Sequence, residues 1–137
     1  MDAKYFQIEI ATPQDHRNFD RASSCSAPGV QGRFQILFNH APFISLLDVG
    51  ELRIDSPEEV KCFAIGGGFI QVLNNKVLFL LDAIESVEEI DIERAESALE
   101  RAKKRIHSKE EDIDIPRAKL AYARALNRLN ITRKFPA

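Results

Sequence analysis

The chain has 137 residues, of which 45% are hydrophobic, so it can form one or two compact units with a buried core. No apolar stretch approaches the roughly 20 residues of a membrane span, and the N-terminus lacks a signal-peptide pattern, so we expect the chain to stay where it is made. The net charge of −2 combines −6 over residues 1–90 with +4 over residues 91–137, and this basic part predicts a negatively charged partner: nucleic acid, anionic lipid, an acidic protein or a nucleotide phosphate.

Short apolar segments of β type recur before residue 82, and turn-forming residues separate them. All six glycines and eight of the nine phenylalanines lie in this part of the chain. The dipeptide Asn74-Asn75 predicts a hairpin, because Asn tolerates the positive φ of a two-residue turn. Many short strands at this spacing predict a β-sandwich or barrel. We predict strands at Tyr5–Ala11, Phe34–Leu37, Gly50–Ile54, Val60–Ile65, Gly68–Leu73 and Lys76–Leu81, and further turns at 12–15, 28–29 and 55–57.

Three features before residue 82 suggest chemistry but have simpler interpretations. Gly66-Gly67-Gly68 lacks the Lys-Ser/Thr pair of a phosphate-binding loop and precedes a strand, so we interpret it as a tight bend where strands approach closely. His40 has no second His or Cys nearby, and Cys25 and Cys62 lack metal or redox spacing, so we expect no metal site. The two thiols fit a reducing compartment, and a disulfide between them stays open as an alternative. No motif supports catalysis by this chain alone.

After Asp82 the hydrophobic period becomes helical. A phrase that begins at Ile90-Asp91 recurs 23 positions later at Ile113-Asp114, with nine of seventeen aligned positions identical. Each copy opens with an Asp able to cap a helix and then repeats Ala at helical spacing, and the short polar segment 107–112 forces the two helices antiparallel. We therefore predict an α+β fold, with an antiparallel β-sandwich over residues 1–86 and an antiparallel two-helix hairpin over residues 87–137.

Arginines recur on one face of each predicted helix at i, i+7 and i+11. They are Arg94, Arg101 and Arg105 on the first helix and Arg117, Arg124 and Arg128 on the second. Two interpretations follow from this spacing. The rows form either a solvated basic surface or an anion site, because guanidinium groups match the geometry of phosphates and carboxylates.

Several segments, taken in order, resemble the epsilon subunit family of the rotary F-type ATP synthases of bacteria and chloroplasts. Ile8–Pro13 resembles the family's opening strand and Thr-Pro turn, and Gly32–Pro42 resembles its Gly-Ile-Leu-Pro-Gly-His-Ala-Pro segment. Gly50–Ile54 and Ala64–Val72 follow with the expected spacing. Together with the helical hairpin, the resemblance covers nearly the whole chain.

The resemblance implies a sandwich that docks on the gamma subunit and on the ring of c subunits, with His40, Ala41 and Pro42 in the docking segment. Two departures lie in this segment, because Gln35 replaces a usual Gly and Phe38-Asn39 replaces the usual Pro-Gly. We therefore expect this loop to bend differently or to face an altered partner surface.

The resemblance further implies a mobile hairpin that either folds down on the sandwich or extends beside gamma toward the catalytic beta subunits. The extended form inhibits ATP hydrolysis in the family, and such an element needs only a few kcal/mol between its two states. The implied function is a non-catalytic central-rotor subunit that couples proton-driven rotation to ATP synthesis and restrains hydrolysis. The implied location is peripheral, on the cytoplasmic face of the bacterial inner membrane or on the stromal side of the thylakoid.

Some members of the family bind ATP in the folded hairpin through an Ile/Leu-Asp-x-x-Arg-Ala motif, which residues 90–95 match. The implied nucleotide-binding residues are Glu85, Ile90, Asp91, Arg94, Ala95, Arg101, Arg124 and Arg128. Asp91 and Glu85 would accept hydrogen bonds from the base or ribose side, and the arginines would hold the phosphates. No cofactor is required, and ATP is expected only as a regulatory ligand of the folded hairpin. We interpret the near-copy at Asp114 as mainly a helix cap.

The alternative function is a free-standing nucleotide-sensing or nucleic-acid-binding module. Aromatic side chains do not interleave with the arginines, since Tyr122 is the only aromatic residue within either predicted helix. We therefore expect no nucleic acid partner and membrane contact only through a larger complex.

Overall fold

The structure, a computed structural model, describes residues 4–110 and 112–134. The chain separates into two compact units, which divide between Glu85 and Ser86. β-Strands form the first unit, whereas the second contains a 3-10 turn at Val87–Glu89 and two α-helices. The predicted fold class, a β-sandwich followed by a helical hairpin, is confirmed.

Eight strands form one hydrogen-bonded sheet with the order β2-β1-β7-β6-β5-β3-β4, and β8 pairs with β6. The strands are β1 (Phe6–Ala11), β2 (His16–Ala22), β3 (Ser24–Gly29), β4 (Gly32–Leu37), β5 (Phe43–Asp55), β6 (Val60–Leu73), β7 (Lys76–Leu81) and β8 (Ile84–Ser86). The β1–β7 pair is parallel and departs from the predicted antiparallel arrangement, which the other neighbouring pairs in this order follow. A parallel pair needs a long connection, and the whole of the chain between β1 and β7 supplies it.

Strands β5 and β6 form a long antiparallel hairpin of 13 and 14 residues. It turns at residues 56–59, where the Ser56 backbone N–H donates to the Glu59 carbonyl over 2.9 Å. The prediction of two separate strands at Val60–Ile65 and Gly68–Leu73 was wrong, because β6 runs unbroken through Gly66 and Gly67 between them.

The glycine triplet turns over the side of β6 that faces the core. Phe63 and Ile65 belong to the core of this unit before the triplet, and Ile70 and Val72 belong to it after the triplet, so the positions that contribute to the core change from odd to even. Side chains alternate between the two faces of a strand, so this change requires a local twist of the backbone.

Glycine is required at this twist for a second reason. Gly67 and Gly68 have φ values of 108° and 143°, which side-chain-bearing residues rarely adopt. A Cβ at Gly68 would overlap the backbone carbonyl oxygen of Leu80 in β7. The predicted close approach of strands is confirmed, but the glycines lie inside an unbroken strand and not at a tight bend.

The predicted turns fall into two groups. The Thr12–Asp15 turn forms as expected, with the Thr12 N–H donating to the Asp15 carbonyl over 2.9 Å. Asn74 and Asn75 have φ values of 51° and 61° and connect β6 to β7 as predicted.

The turn predicted at residues 28–29 was misplaced. Gly29 pairs with Gly32, so the turn lies at Val30 and Gln31 instead. Pro28 has no backbone N–H to donate to a neighbouring strand. β3 tolerates it because the β3–β5 register shifts between Ser26 and Gly29, so the regular hydrogen-bond ladder is interrupted at this position.

One hydrophobic core lies within the first unit and draws on strands β1 to β7, with Ala22 as the contribution of β2. Its largest fully buried side chains are Phe63, Phe79, Ile8, Ile10, Ile36, Leu52, Ile54, Ile65, Ile70, Val72 and Val77. The same strands hold the loop between β4 and β5 and the exposed side of β5, β6 and β7.

Helices α1 (Ile92–Ile106) and α2 (Ile115–Lys134) form the hairpin and pack against each other. Both predicted caps are present: Asp91 Oδ1 accepts from the Arg94 N–H, and Asp114 Oδ1 accepts from the Arg117 N–H, each over 3.1 Å. Both helices bury alanines one heptad apart, and these are Ala95, Ala102, Ala118 and Ala125.

Candidate functional sites

The predicted nucleotide-binding residues of the hairpin differ in exposure. Asp91, Arg94 and Arg101 are exposed, whereas Arg124 and Arg128 are half-buried. Asp91 uses one carboxylate oxygen for its cap, so its other oxygen can still accept a hydrogen bond from a ligand. The two apolar residues of the motif, Ile90 and Ala95, are buried, and Glu85 is half-buried in β8.

The repeat places the two arginine rows on the same side of the hairpin. Arg94, Arg101 and Arg124 each precede a buried alanine, so each lies about 100° around its helix from the buried seam. In an antiparallel pair, positions with the same offset from the seam face the same side. The arginines of α1 and α2 therefore line one surface and concentrate positive charge there.

The distances of the buried alanines from the connecting loop show which residues of the two helices lie beside each other. Ala102 and Ala118 lie about one turn from the connecting loop, and Ala95 and Ala125 lie about three turns from it. Arg94 consequently comes level with the part of α2 that carries Arg124 and Arg128. Anions are the ligands that such a convergence of guanidinium groups favours.

The predicted docking residues His40, Ala41 and Pro42 lie in the loop of residues 38–42, which connects β4 to β5. Ala41 and Pro42 are exposed, and His40 is half-buried with its Nδ1 atom 2.7 Å from the Ala41 carbonyl oxygen. The Phe43 ring lies against the rings of Phe34 and His40, at centroid distances of 5.1 and 5.8 Å. These contacts fix the C-terminal end of the loop.

Asn39 gives the loop its bend. Its φ of 60° is a conformation that glycine adopts without steric cost and that Asn tolerates better than most residues. Its N–H donates to the side-chain oxygen of Asn75 over 2.8 Å. The Asn at this position therefore supports a glycine-like bend, while Phe38 gives the loop an exposed aromatic ring with Lys4 5.8 Å from its centroid.

One face of the sheet carries an apolar, exposed patch that no sequence pattern pointed to. Leu46, Phe69 and Leu80 are direct cross-strand neighbours on β5, β6 and β7, and Ile44 is the next residue of β5 on the same face. Ile44 is 72% exposed and Leu46 is 63% exposed. We call these four residues the apolar sheet face. Patches of this kind on a small domain mark protein contact sites.

A groove of about 670 Å³ lies in the first unit near this face, lined by residues that include Tyr5, Asn75, Lys76 and Leu78. Glu9 also lines it and is paired with Lys76 Nζ at 3.2 Å and His16 Nε2 at 2.8 Å. The His16 hydrogen bond and then the Lys76 hydrogen bond hold the pKa of the Glu9 carboxyl below its ordinary value.

Cys25 and Cys62 are buried, and no disulfide joins them. Cys25 pairs with Ile54 and Cys62 with the adjacent Arg53, so the two side chains lie on opposite faces of the sheet. Burial raises the pKa of the Cys25 thiol to about 12. Within residues 4–110 and 112–134, no group of three or more His, Cys, Asp or Glu side chains is arranged to hold a metal ion.

Comparison with known proteins identifies the family to which this two-unit architecture belongs. The β-sandwich domain of the ATP synthase delta/epsilon chain matches residues 5–87, and the long alpha-helix domain of the same chain matches residues 88–133. The chain therefore belongs to the delta/epsilon chain family of the ATP synthase, a rotary enzyme complex.

Relatives within the family narrow the assignment. The ATP synthase epsilon chain of Carboxydothermus hydrogenoformans is 44% identical over 104 residues, which are 76% of this chain and 78% of that relative. The epsilon chain of Pelotomaculum thermopropionicum is 43% identical over 109 residues, which are 80% of this chain and 81% of that relative. The resemblance to the epsilon subunit, a non-catalytic subunit of the complex, is confirmed.

Solved structures support the fold at low sequence identity. A chain of the Euglena gracilis mitochondrial ATP synthase OSCP/F1/c-ring structure matches with a TM-score of 0.83 at 19% identity, covering 97% of this chain and 83% of that chain. A chain of the Tetrahymena thermophila central stalk/c-ring structure matches with a TM-score of 0.60 at 20% identity, covering 98% and 100%. None of the helices in the described part of the chain has the length and apolar character needed to cross a bilayer.

Proposed function

We propose that this chain is a central-rotor subunit that docks through its β-sandwich and regulates ATP hydrolysis through its helical hairpin. The observation that carries this proposal is the apolar sheet face formed by Ile44, Leu46, Phe69 and Leu80. Covering it would remove apolar surface from water, and each Å² buried contributes roughly 25 cal/mol of favourable free energy. This contribution favours a stable protein–protein contact. The sandwich is thereby suited to permanent attachment.

The partners follow from the two surfaces of the first unit. The apolar sheet face docks on the gamma subunit, and the 38–42 loop with His40, Ala41 and Pro42 contacts the ring of c subunits. Attachment to both couples the chain to the proton-driven rotor. The location is peripheral to the membrane, on the cytoplasmic face of the bacterial inner membrane, with the stromal side of the thylakoid as the alternative.

The docking proposal is tested by retention on gamma and the c ring at high salt. Leu46→Asp places a charge within the apolar sheet face and should abolish co-purification, because burying an unpaired carboxylate is costly. Val60→Asp is the matched control, since Val60 is 52% exposed at the other end of β6. Equal retention of both variants would reject this face as the attachment site.

The same measurement addresses the alternative function. An electrostatic nucleic-acid binder would be stripped from its partner as salt rises, because counterion release drives such binding. Retention through apolar contacts should persist at high salt. Loss of the wild-type chain from gamma at high salt, with retention on nucleic acid at low salt, would favour the alternative.

The basic surface of the hairpin supports the regulatory part of the proposal. In the extended state, the exposed guanidinium groups of α1 meet acidic residues of the catalytic beta subunits and resist rotation. In the folded state, Arg94, Arg101, Arg124 and Arg128 hold the phosphates of ATP. ATP then stabilises the folded hairpin in proportion to its preference for that state.

The internal repeat supplies a matched control for the nucleotide site. Asp91 and Asp114 cap their helices with the same 3.1 Å hydrogen bond, so replacing either with Ala should cost about 1 kcal/mol of helix stability. Only Asp91→Ala should also weaken ATP binding, measured by isothermal calorimetry on the full chain. Equal ATP affinity in the two variants would mean that the motif acts as a cap alone.

The arginines are tested in the same assay. Arg94→Ala and Arg124→Ala should each weaken ATP binding about tenfold or more, because a charged contact to phosphate contributes roughly 1.5–3 kcal/mol. Lys103→Ala removes a positive charge from the opposite side of α1 and should change the affinity little. No heat from the wild type with millimolar ATP would restrict regulation to a nucleotide-independent mechanism.

A further inference from the structure

The turn between β6 and β7 is linked to the docking loop by a single side chain. Asn75 Oδ1 accepts from the Asn39 N–H at the bend of the loop, and Asn75 Nδ2 donates to the Tyr5 carbonyl, both over 2.8 Å. These bonds span 36 and 70 residues along the chain. One amide thus joins three segments at the same end of the sandwich.

The loop needs this connection because local contacts hold only part of it. At its C-terminal end Phe43 is held by the rings of Phe34 and His40. At its N-terminal end the His40 N–H donates to the Leu37 carbonyl over 3.2 Å, and Asn39 is held in its positive φ. The bond from Asn75 is a long-range contact that ties the bend itself to the rest of the sheet.

We propose that Asn75 is a positioning residue that holds the 38–42 loop in the conformation that its protein partner binds. This inference rests on the proposed docking function of His40, Ala41 and Pro42. Asn75 does not belong to the loop and acts on it only through the Asn39 amide. Preorganisation of this kind raises affinity by reducing the conformational entropy that binding must overcome.

The turn itself provides a matched pair of variants. Asn74 and Asn75 both have positive φ values, so glycine fits either position without backbone strain. Asn75→Gly removes both side-chain hydrogen bonds and preserves the turn. Asn74→Gly makes the same chemical change one residue earlier and preserves both bonds. Asn75→Asp keeps an acceptor for the Asn39 N–H but loses the donor to Tyr5.

Two measurements on the full chain test the proposal. Binding to a reconstituted complex of gamma and the c ring should weaken about tenfold in Asn75→Gly, stay within about twofold in Asn74→Gly, and be partly recovered in Asn75→Asp. Hydrogen exchange should show loss of protection at the Asn39 amide in Asn75→Gly alone. The amides of the β6–β7 ladder should keep their protection in all three variants, which separates positioning from a general loss of stability.

The outcomes distinguish this inference from the function on which it rests. Equal binding by wild type and Asn75→Gly would overturn the positioning role and leave docking intact. The positioning role would also be overturned if Asn75→Gly lost binding while its Asn39 amide stayed protected, and if Asn75→Asp did not recover that binding. Failure of the wild type to bind gamma and the c ring would instead overturn the proposed docking function.

Discussion

At the scale of single residues, Gly68 tests how closely β6 and β7 approach. Gly68→Ala should destabilise the first unit by about 3 kcal/mol or more, because its φ is strained and its Cβ would overlap the Leu80 backbone. Gly32→Ala is the control, since Gly32 has a φ of 129° but no atom within 4 Å of an added Cβ. It should cost about 1–2 kcal/mol from backbone strain alone. Urea unfolding measures both, and equal losses would contradict the close approach.

At the same scale, Glu9 should make the stability of the first unit depend on pH. His16 and Lys76 lower the pKa of its carboxyl in the folded chain. The resulting stabilisation is therefore present above the ordinary carboxyl range and is lost as pH falls through the lowered folded-state pKa. NMR titration should show the Glu9 pKa rising in His16→Ala, and the stability difference between wild type and Glu9→Gln should shrink as the pH falls. An unchanged Glu9 pKa in His16→Ala would contradict the assigned cause.

At the scale of elements, the hairpin depends on small side chains in its seam. Ala102→Leu should destabilise the helices by about 1–3 kcal/mol, because Ala102 is 2% exposed and a larger side chain would force the helices apart. Ala123→Leu makes the same change at an exposed position of α2 and should have little effect. Thermal melts followed by circular dichroism at 222 nm compare them. A melt of Ala102→Leu that matches wild type would place the seam elsewhere.

The elements that the sequence predicted well are those with strong local signals. β1, β7, the Asn74-Asn75 turn and both helix caps follow from alternation, turn chemistry and capping within a few residues. β2 was missed because His16–Ala22 is an edge strand with mostly polar, exposed side chains. Its pairing with β1 stabilises it, and no local apolar pattern reports that pairing.

The candidate sites also differ in whether they depend on local or long-range contacts. The motif at Asp91 and Arg94 lies within one helical turn, so capping and spacing placed it at the start of α1, and the family resemblance implied its role in nucleotide binding. The bonds from Asn75 to Asn39 and Tyr5 join distant parts of the chain and depend on the completed sheet. The apolar sheet face also escaped prediction, because alternation shows which residues share a face of a strand but not which face stays uncovered.

At the scale of the whole molecule, the two units have different expected roles. The core of the first unit lies entirely before Ile84, and β8 ends at Ser86, so we expect residues 1–86 to fold without the hairpin. Circular dichroism of that fragment should show a cooperative β-rich melt. A disordered spectrum would mean that the expected boundary at residue 86 is misplaced.

The division of roles between the two units is tested most directly on the reconstituted ATP synthase. Assembly, ATP synthesis and ATP hydrolysis are measured with the full chain, with residues 1–86, or with neither. Residues 1–86 should support assembly and proton-driven ATP synthesis nearly as well as the full chain, since docking is assigned to the sandwich. ATP hydrolysis should be faster with residues 1–86 than with the full chain, since the restraint is assigned to the hairpin. Equal hydrolysis rates with the two forms, or failure of residues 1–86 to assemble, would contradict this division of roles.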